Sequence, residues 1–145
     1  MSVVVEIAES SSQELLDGIN RLLPQLSSSA REVTPDDLGA LIGSDCVTLL
    51  VARNAGLIVG TLTLVIFRIP SGLRAWIEDV VVDSESRGIG VGEALTNVAL
   101  ELAKVRGVKT VDLTSRPSRE AANSLYRRIG FTRRETNVYR LLVEP

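Results

Sequence analysis

At Gly90 the sequence changes its period, and that change restricts the fold more than any other stretch. Before it, Leu73 to Val82 reads as a strand, entered through the turn residues Pro70-Ser71-Gly72. After it, Val91, Ala94, Leu95, Val98, Ala99, Leu102 and Val105 recur at three and four residues, the spacing of one helix face, and Gly107 ends the run. Val108 to Thr114 then reads as another strand. Strand, helix and strand in that order make a crossover unit, which pairs its strands in parallel and lays the helix on one face of the sheet.

The sequence on either side extends this unit. Val3 to Ala8 reads as a first strand, and Leu15, Leu16, Ile19, Leu22 and Leu23 follow at helical spacing. Thr34-Pro35-Asp36-Asp37 is a helix start: a capping hydroxyl, a proline at the first position, then acids near the positive end of the helix dipole. That helix is expected to stop near Gly43. Cys46 to Arg53 and Leu57 to Ile66 read as strands separated by the tight-turn residues Asn54-Ala55-Gly56. With Leu73 to Val82 they predict an antiparallel meander. Arg119 to Ile129 reads as a helix closed by Gly130, and Asn137 to Val143 as a last strand, with a short strand at Phe131 to Arg134 left open. The expected fold is mixed α/β (α+β), a central, mostly antiparallel mixed sheet flanked by helices. Ser27-Ser28-Ser29 is too short to divide domains, so residues 1–145 are expected to form one domain.

Composition narrows the chemistry. The chain contains no His, which removes the usual near-neutral proton carrier and the base of a Ser-His-Asp or Cys-His hydrolase. Proton transfer is left to carboxylates, Tyr, Lys, the one Cys or water. Cys46 cannot form an intramolecular disulfide, zinc ligation is not expected, and the apolar sequence after it predicts a buried thiol. Sixteen basic and eighteen acidic residues give a net charge of −2, which does not point to nucleic-acid or membrane partners. The first residues lack the basic and apolar regions of a signal peptide, and no run reaches the length of a membrane span, so a cytoplasmic protein is expected.

The stretch Asp83-Ser84-Glu85-Ser86-Arg87-Gly88-Ile89-Gly90-Val91-Gly92 joins the strand to the helix. Three glycines in five positions let backbone amides approach an anion closely, and the helix start supplies unpaired N–H groups and a positive dipole end. Arg87 adds a formal charge. The pattern predicts a phosphate or pyrophosphate site. A P-loop would need a Lys-Ser/Thr pair where Glu93-Ala94 stands. A dinucleotide fingerprint would need G-x-G-x-x-G directly after its strand. Asp112 lies where a ribose-binding acid would fall, but within a strand pattern rather than at its end.

Arg87-Gly88-Ile89-Gly90-Val91-Gly92 resembles the R/Q-x-x-G-x-G/A motif of the GNAT (GCN5-related N-acetyltransferase) superfamily, and Asn123 to Phe131 resembles its N-x-x-Y-x-x-x-G-F segment. The two motifs stand in the family's order, one helix and one strand apart, and cover roughly the second half of the chain. The resemblance implies the family's acyl-CoA N-acyltransferase fold, acetyl-CoA as acyl donor, a primary amine of a small molecule or a protein as acceptor, and direct attack in a ternary complex. It implies that Val80, Val81 and Val82 hold the pantetheine arm by their backbone and that Arg87, Gly88, Ile89, Gly90, Val91 and Gly92 hold the pyrophosphate. Asn123 is then placed to hydrogen-bond the arm, and Tyr126 to protonate the departing thiolate. Glu78 is the first candidate base, since a carboxylate in so apolar a strand is costly without a purpose or a partner. Asp79 is the second. Strand alternation places Trp76, Glu78, Val80 and Val82 on one face and Ile77, Asp79 and Val81 on the other. Arg116 is a candidate for meeting an acidic acceptor. The family often dimerises, and Asn137 to Val143 offers an edge for a homodimer. A non-catalytic acyl-CoA sensor would keep the glycine-rich loop without needing Tyr126 or Glu78.

Overall fold

In the computed structural model, which describes residues 2–144, the chain divides after Thr114 into two units. The first is built on a five-stranded sheet whose spatial order is the order of the chain. Its strands are β1 (Val3–Ile7), β2 (Val47–Asn54), β3 (Leu57–Ile69), β4 (Gly72–Val82) and β5 (Val111–Asp112). The first four pair antiparallel, and β5 joins β4 in parallel. The connection from β4 to β5 runs through α3 (Val91–Val105), as a parallel pair requires. Helices α1 (Gln13–Leu26) and α2 (Pro35–Ile42) lie between β1 and β2 in the sequence. The β2–β3 turn is made by Ala55 and Gly56, both left-handed (φ 52° and 81°), a two-residue connection whose twist suits the strands it joins.

The two faces of the sheet are covered by different helices. Leu49 and Val51 of β2 and Val81 of β4 join Leu15, Leu16, Ile19 and Leu22 of α1, Leu38 of α2 and Ile58 in one buried cluster. Complete burial of side chains such as Leu22 and Leu38 contributes roughly 1.5–3 kcal/mol each. The other face carries Leu50, Ala52, Leu62 and Leu64, all fully buried, and receives α3. Gly60 permits that approach: a Cβ there would stand 2.8 Å from Val91 Cγ1 and 3.2 Å from Leu95 Cδ1. The start of α2 closes as its sequence predicts. Thr34 Oγ1 accepts from the Asp37 amide and the Asp37 carboxylate accepts from the Thr34 amide, both at 3.1 Å. Arg53 ties three elements together, donating to Glu6 of β1 at 2.6 Å and Glu14 of α1 at 2.9 Å. Among the described residues no helix is long and apolar enough to cross a membrane.

The second unit contains α4 (Glu120–Ile129), which ends at Gly130 (φ 123°). The Tyr126 carbonyl accepts from the Gly130 and Phe131 amides at 3.1 and 2.9 Å, and the Tyr126 and Phe131 rings meet edge to face at 5.7 Å.

Three expectations are corrected. Neither Phe131 to Arg134 nor Asn137 to Val143 forms a strand. Strand propensity is realised only against a neighbour, and Val138, Tyr139, Leu141, Leu142 and Val143 stand 73–91% exposed without one. The strand expected over Val108 to Thr114 shortens to Val111–Asp112, the only positions in register with β4. Cys46 is exposed rather than buried. It lies ahead of β2 and ahead of the first core position, Leu49, and only its carbonyl joins the sheet, accepting from the Ile66 amide at 2.8 Å.

Candidate active site

The strand that leads into the glycine-rich loop is irregular where its charged residues lie. Thr63 of β3 opposes Glu78 of β4, yet Thr61 opposes Val81, so β4 has one residue more than its neighbour. The extra residue falls at Asp79–Val80. Asp79 adopts φ 47°, a left-handed conformation that Asp tolerates better than most side chains. This bulge corrects the alternation read from sequence. Thr61 and Thr63 share a face, so Val81 and Glu78 share it too, and the bulge leaves both Glu78 and Asp79 exposed.

Beyond the bulge, β4 offers an unpaired edge. β5 is in register with it only at Ala75 and Trp76, so from Ile77 to Val82 no strand pairs with that side among the described residues. Val80 and Val82 are half-buried there and Val81 is buried. Backbone groups on such an edge can pair with an extended ligand as they would with another strand.

The loop that follows is anchored at its root and open at its tip. Asp83 donates its amide to the Val59 carbonyl at 2.8 Å, and its carboxylate receives Arg21 of α1 at 3.0 Å. The same guanidinium donates to the Ile58 carbonyl at 2.7 Å, and Gln25 of α1 accepts from the Ser84 amide at 2.9 Å. Past a single 3-10 turn at Ser84–Ser86 the chain reaches Arg87, which is exposed and forms no ion pair among the described residues. Gly88 (φ 83°) and Gly90 (φ 87°) need the left-handed region, and the space where a side chain would stand is open at both. Ile89 between them is exposed, while Val91 is buried and fixes the first turn of α3. Gly90 caps α3 without any side-chain hydrogen bond, and the first intrahelical donor is the Ala94 amide, bonded to the Gly90 carbonyl at 3.0 Å. The amides of Val91 and Gly92 precede that first donor and have no partner within the helix, and the positive end of the dipole lies at the same place. Open space at Gly88 and Gly90, an uncapped helix start and the exposed Arg87 are the chemistry that a phosphate group requires.

On the Glu78 side of the sheet, Val65, Phe67, Trp76 and Glu78 line a shallow, open hollow. Arg74 lies next along β4 and is paired with Asp112 of β5 at 3.0 Å, so Asp112 is engaged as an ion-pair partner. The hollow is not legible in the sequence, because apolar residues in a strand announce a core position rather than an open one. The bulge did leave a trace: two consecutive acids in a strand break a period of two.

Asn123 and Tyr126 belong to the second unit, one helical turn apart on α4. The Asn123 amide nitrogen donates to the Arg116 carbonyl at 2.9 Å, holding the loop before the helix and leaving its side-chain oxygen as an acceptor. Arg116 itself is exposed. Tyr126 is buried, and burial pushes its phenol above the usual range, with the charge of Arg119 acting in the opposite direction. Such a phenol keeps its proton at neutral pH.

The model of the acetyltransferase (GNAT) family matches residues 15–131. An uncharacterized N-acetyltransferase of Methanocaldococcus jannaschii is 41% identical over 61 residues, which make up 42% of this chain and 27% of that protein. N-alpha-acetyltransferase 30 of Schizosaccharomyces pombe is 38% identical over 61 residues, 42% of this chain and 41% of that protein. The matches thus span well under two thirds of either curated relative. Among solved structures, a putative acetyltransferase from Agrobacterium tumefaciens superposes with a TM-score of 0.84 at 25% identity, covering 96% of this chain and 99% of that one.

Proposed function

The chain belongs to the acetyltransferase (GNAT) family, and from that premise we propose that it transfers an acetyl group from acetyl-CoA to a primary amine, by direct attack in a ternary complex. The observation that carries this reading is the loop tip: two open glycines with positive φ beside Arg87, leading into a helix start with no side-chain cap. The amides from Arg87 through Gly88, Ile89, Gly90 and Val91 to Gly92 hold the pyrophosphate. The free edge of β4 at Val80, Val81 and Val82 pairs with the pantetheine arm, and the side-chain oxygen of Asn123 accepts from it. Acetyl-CoA supplies the acetyl group as a thioester.

Glu78 takes the proton of the incoming ammonium, directly or through water, with Asp79 beside it as the alternative base. As the N–C bond forms and the C–S bond breaks, Tyr126 gives its proton to the departing sulfur. The acceptor is an amine of a small molecule or of a protein; the fission-yeast relative is by its name an N-alpha-acetyltransferase.

The test begins with thermal unfolding in the presence of acetyl-CoA, CoA or NADH. Acetyl-CoA and CoA are expected to raise the midpoint by linkage, NADH to leave it unchanged, and Gly90→Glu to lose the response by setting a carboxylate in the anion site. Tyr126→Phe is expected to lower kcat about 100-fold while keeping the thermal response, the scale of a lost general acid. No response to acetyl-CoA at saturation would remove the basis of the proposal. A thermal response with no amine acetylated by the wild type would favour an acyl-CoA sensor.

A further inference from the structure

The hollow beside Glu78 is unusual for this chain. The sequence holds five aromatic residues (two Phe, two Tyr and one Trp), and two of them, Phe67 and Trp76, line this one open depression on the sheet. Register explains how they meet. Val65 opposes Trp76 and Thr63 opposes Glu78, so Phe67, Val65, Trp76 and Glu78 all project from the same face of two adjacent strands. Aromatic and aliphatic surface at this place gains nothing from the buried cluster under α1 and α2, which contains none of the four.

Charge in and around the hollow is one-sided. Arg74, the neighbouring cation on β4, is matched by Asp112 at 3.0 Å, whereas Glu78 is exposed and has no ion pair among the described residues. Three apolar walls and one uncompensated carboxylate complement a cation attached to an apolar group. They offer nothing to balance a phosphate or a second carboxylate. The hollow covers two residues along each strand, roughly 7 Å at 3.4 Å per residue. That length suits one ring or one branched chain rather than an extended peptide.

We infer that Phe67 and Trp76 determine acceptor specificity, and that the acceptor is a small free amine carrying one compact apolar group, an aromatic ring above all, and no anionic group. The inference rests on the acetyl-transfer reading, in which Glu78 receives the amine's proton. The group attached to the amine then lies along β4 from Glu78 toward Trp76, away from the glycine-rich loop.

Trp76 is the only tryptophan in the chain, so its fluorescence reports directly on occupancy of the hollow. Three acceptors are compared at saturating acetyl-CoA: 2-phenylethylamine, ethylamine and glucosamine 6-phosphate, with a short peptide beginning in Phe as a fourth. Phenylethylamine is expected to shift Trp76 emission and to exceed ethylamine in kcat/KM by about 10- to 100-fold, the discrimination an apolar pocket can supply. Phe67→Leu and Trp76→Leu keep the surface apolar and are expected to preserve the thermal midpoint. In both, the preference should fall to within about threefold, through KM rather than kcat. Glu78→Gln is expected to weaken the phenylethylamine-induced fluorescence shift.

Equal rates for phenylethylamine and ethylamine would overturn the inference, as would a preference that survives both leucine variants. Faster acetylation of glucosamine 6-phosphate or of the peptide would do the same. If acetyl-CoA gives no thermal response and no amine is acetylated, the transfer reading fails on its own. The fluorescence titration then still decides whether the hollow takes an aromatic amine.

Discussion

Tyr126 shows how one side chain can link stability to pH. Burial disfavours its phenolate, so the folded chain holds that proton more tightly than the unfolded chain, whose phenol titrates near 10. Its contribution to stability is complete below about pH 10 and disappears as the pH rises above that value. The thermal midpoint of the wild type is expected to fall from about pH 9.5 to 11, and to fall less steeply in Tyr126→Phe. Parallel curves would show that burial of the phenol contributes nothing. At this scale the sequence was an uneven guide. Tyr126 and the glycines were legible because a spacing of residue types carries them, and Thr34, Pro35 and Asp37 because a cap is local chemistry. Asp79 was not, since its left-handed backbone depends on a neighbouring strand that runs one residue shorter. Cys46 was misread because apolar neighbours in sequence do not fix the depth at which a strand begins.

Among the elements, α3 is the one whose position matters most to the site, because the loop tip leads directly into its first turn. The sheet receives it at Gly60, where any side chain would press on Val91, on Leu95 and, at 3.1 Å, on the Val81 carbonyl. Gly60→Ala is expected to cost about 1–3 kcal/mol in urea unfolding, the range for overpacking. Gly39 of α2 provides the contrast, since nothing stands within 4 Å of a Cβ there. Gly39→Ala is expected to stabilise the protein by about 0.5–1 kcal/mol through helix propensity alone. Similar losses in the two would show that space around the glycine is not what decides the cost. Helices were placed correctly from sequence to within a few residues, because a period of three to four with capping residues is self-contained. β5 and the C-terminal segment were not, because a strand exists only where another strand is in register with it.

At the scale of the molecule, the antiparallel meander and the parallel crossover were both legible, since turn residues and the change of period at Gly90 leave few other ways to connect the strands. The spatial order β1-β2-β3-β4-β5 has a further meaning for how the protein reaches that arrangement. The central pairs β2–β3 and β3–β4 are hairpins with two-residue connections, so their contacts close the shortest loops available. β1 reaches β2 only across two helices, and β5 reaches β4 only across α3. A nucleus in the hairpins predicts an asymmetry in rates: Leu64→Ala slows refolding, whereas Val5→Ala chiefly speeds unfolding. Stopped-flow chevrons of the two variants measure this, and a refolding rate reduced only by Val5→Ala would place the nucleus elsewhere. With a nucleus there, the strand bearing Glu78 and the bulge is among the first to find its neighbours, and the irregular backbone at Asp79 forms before the helices pack on the sheet.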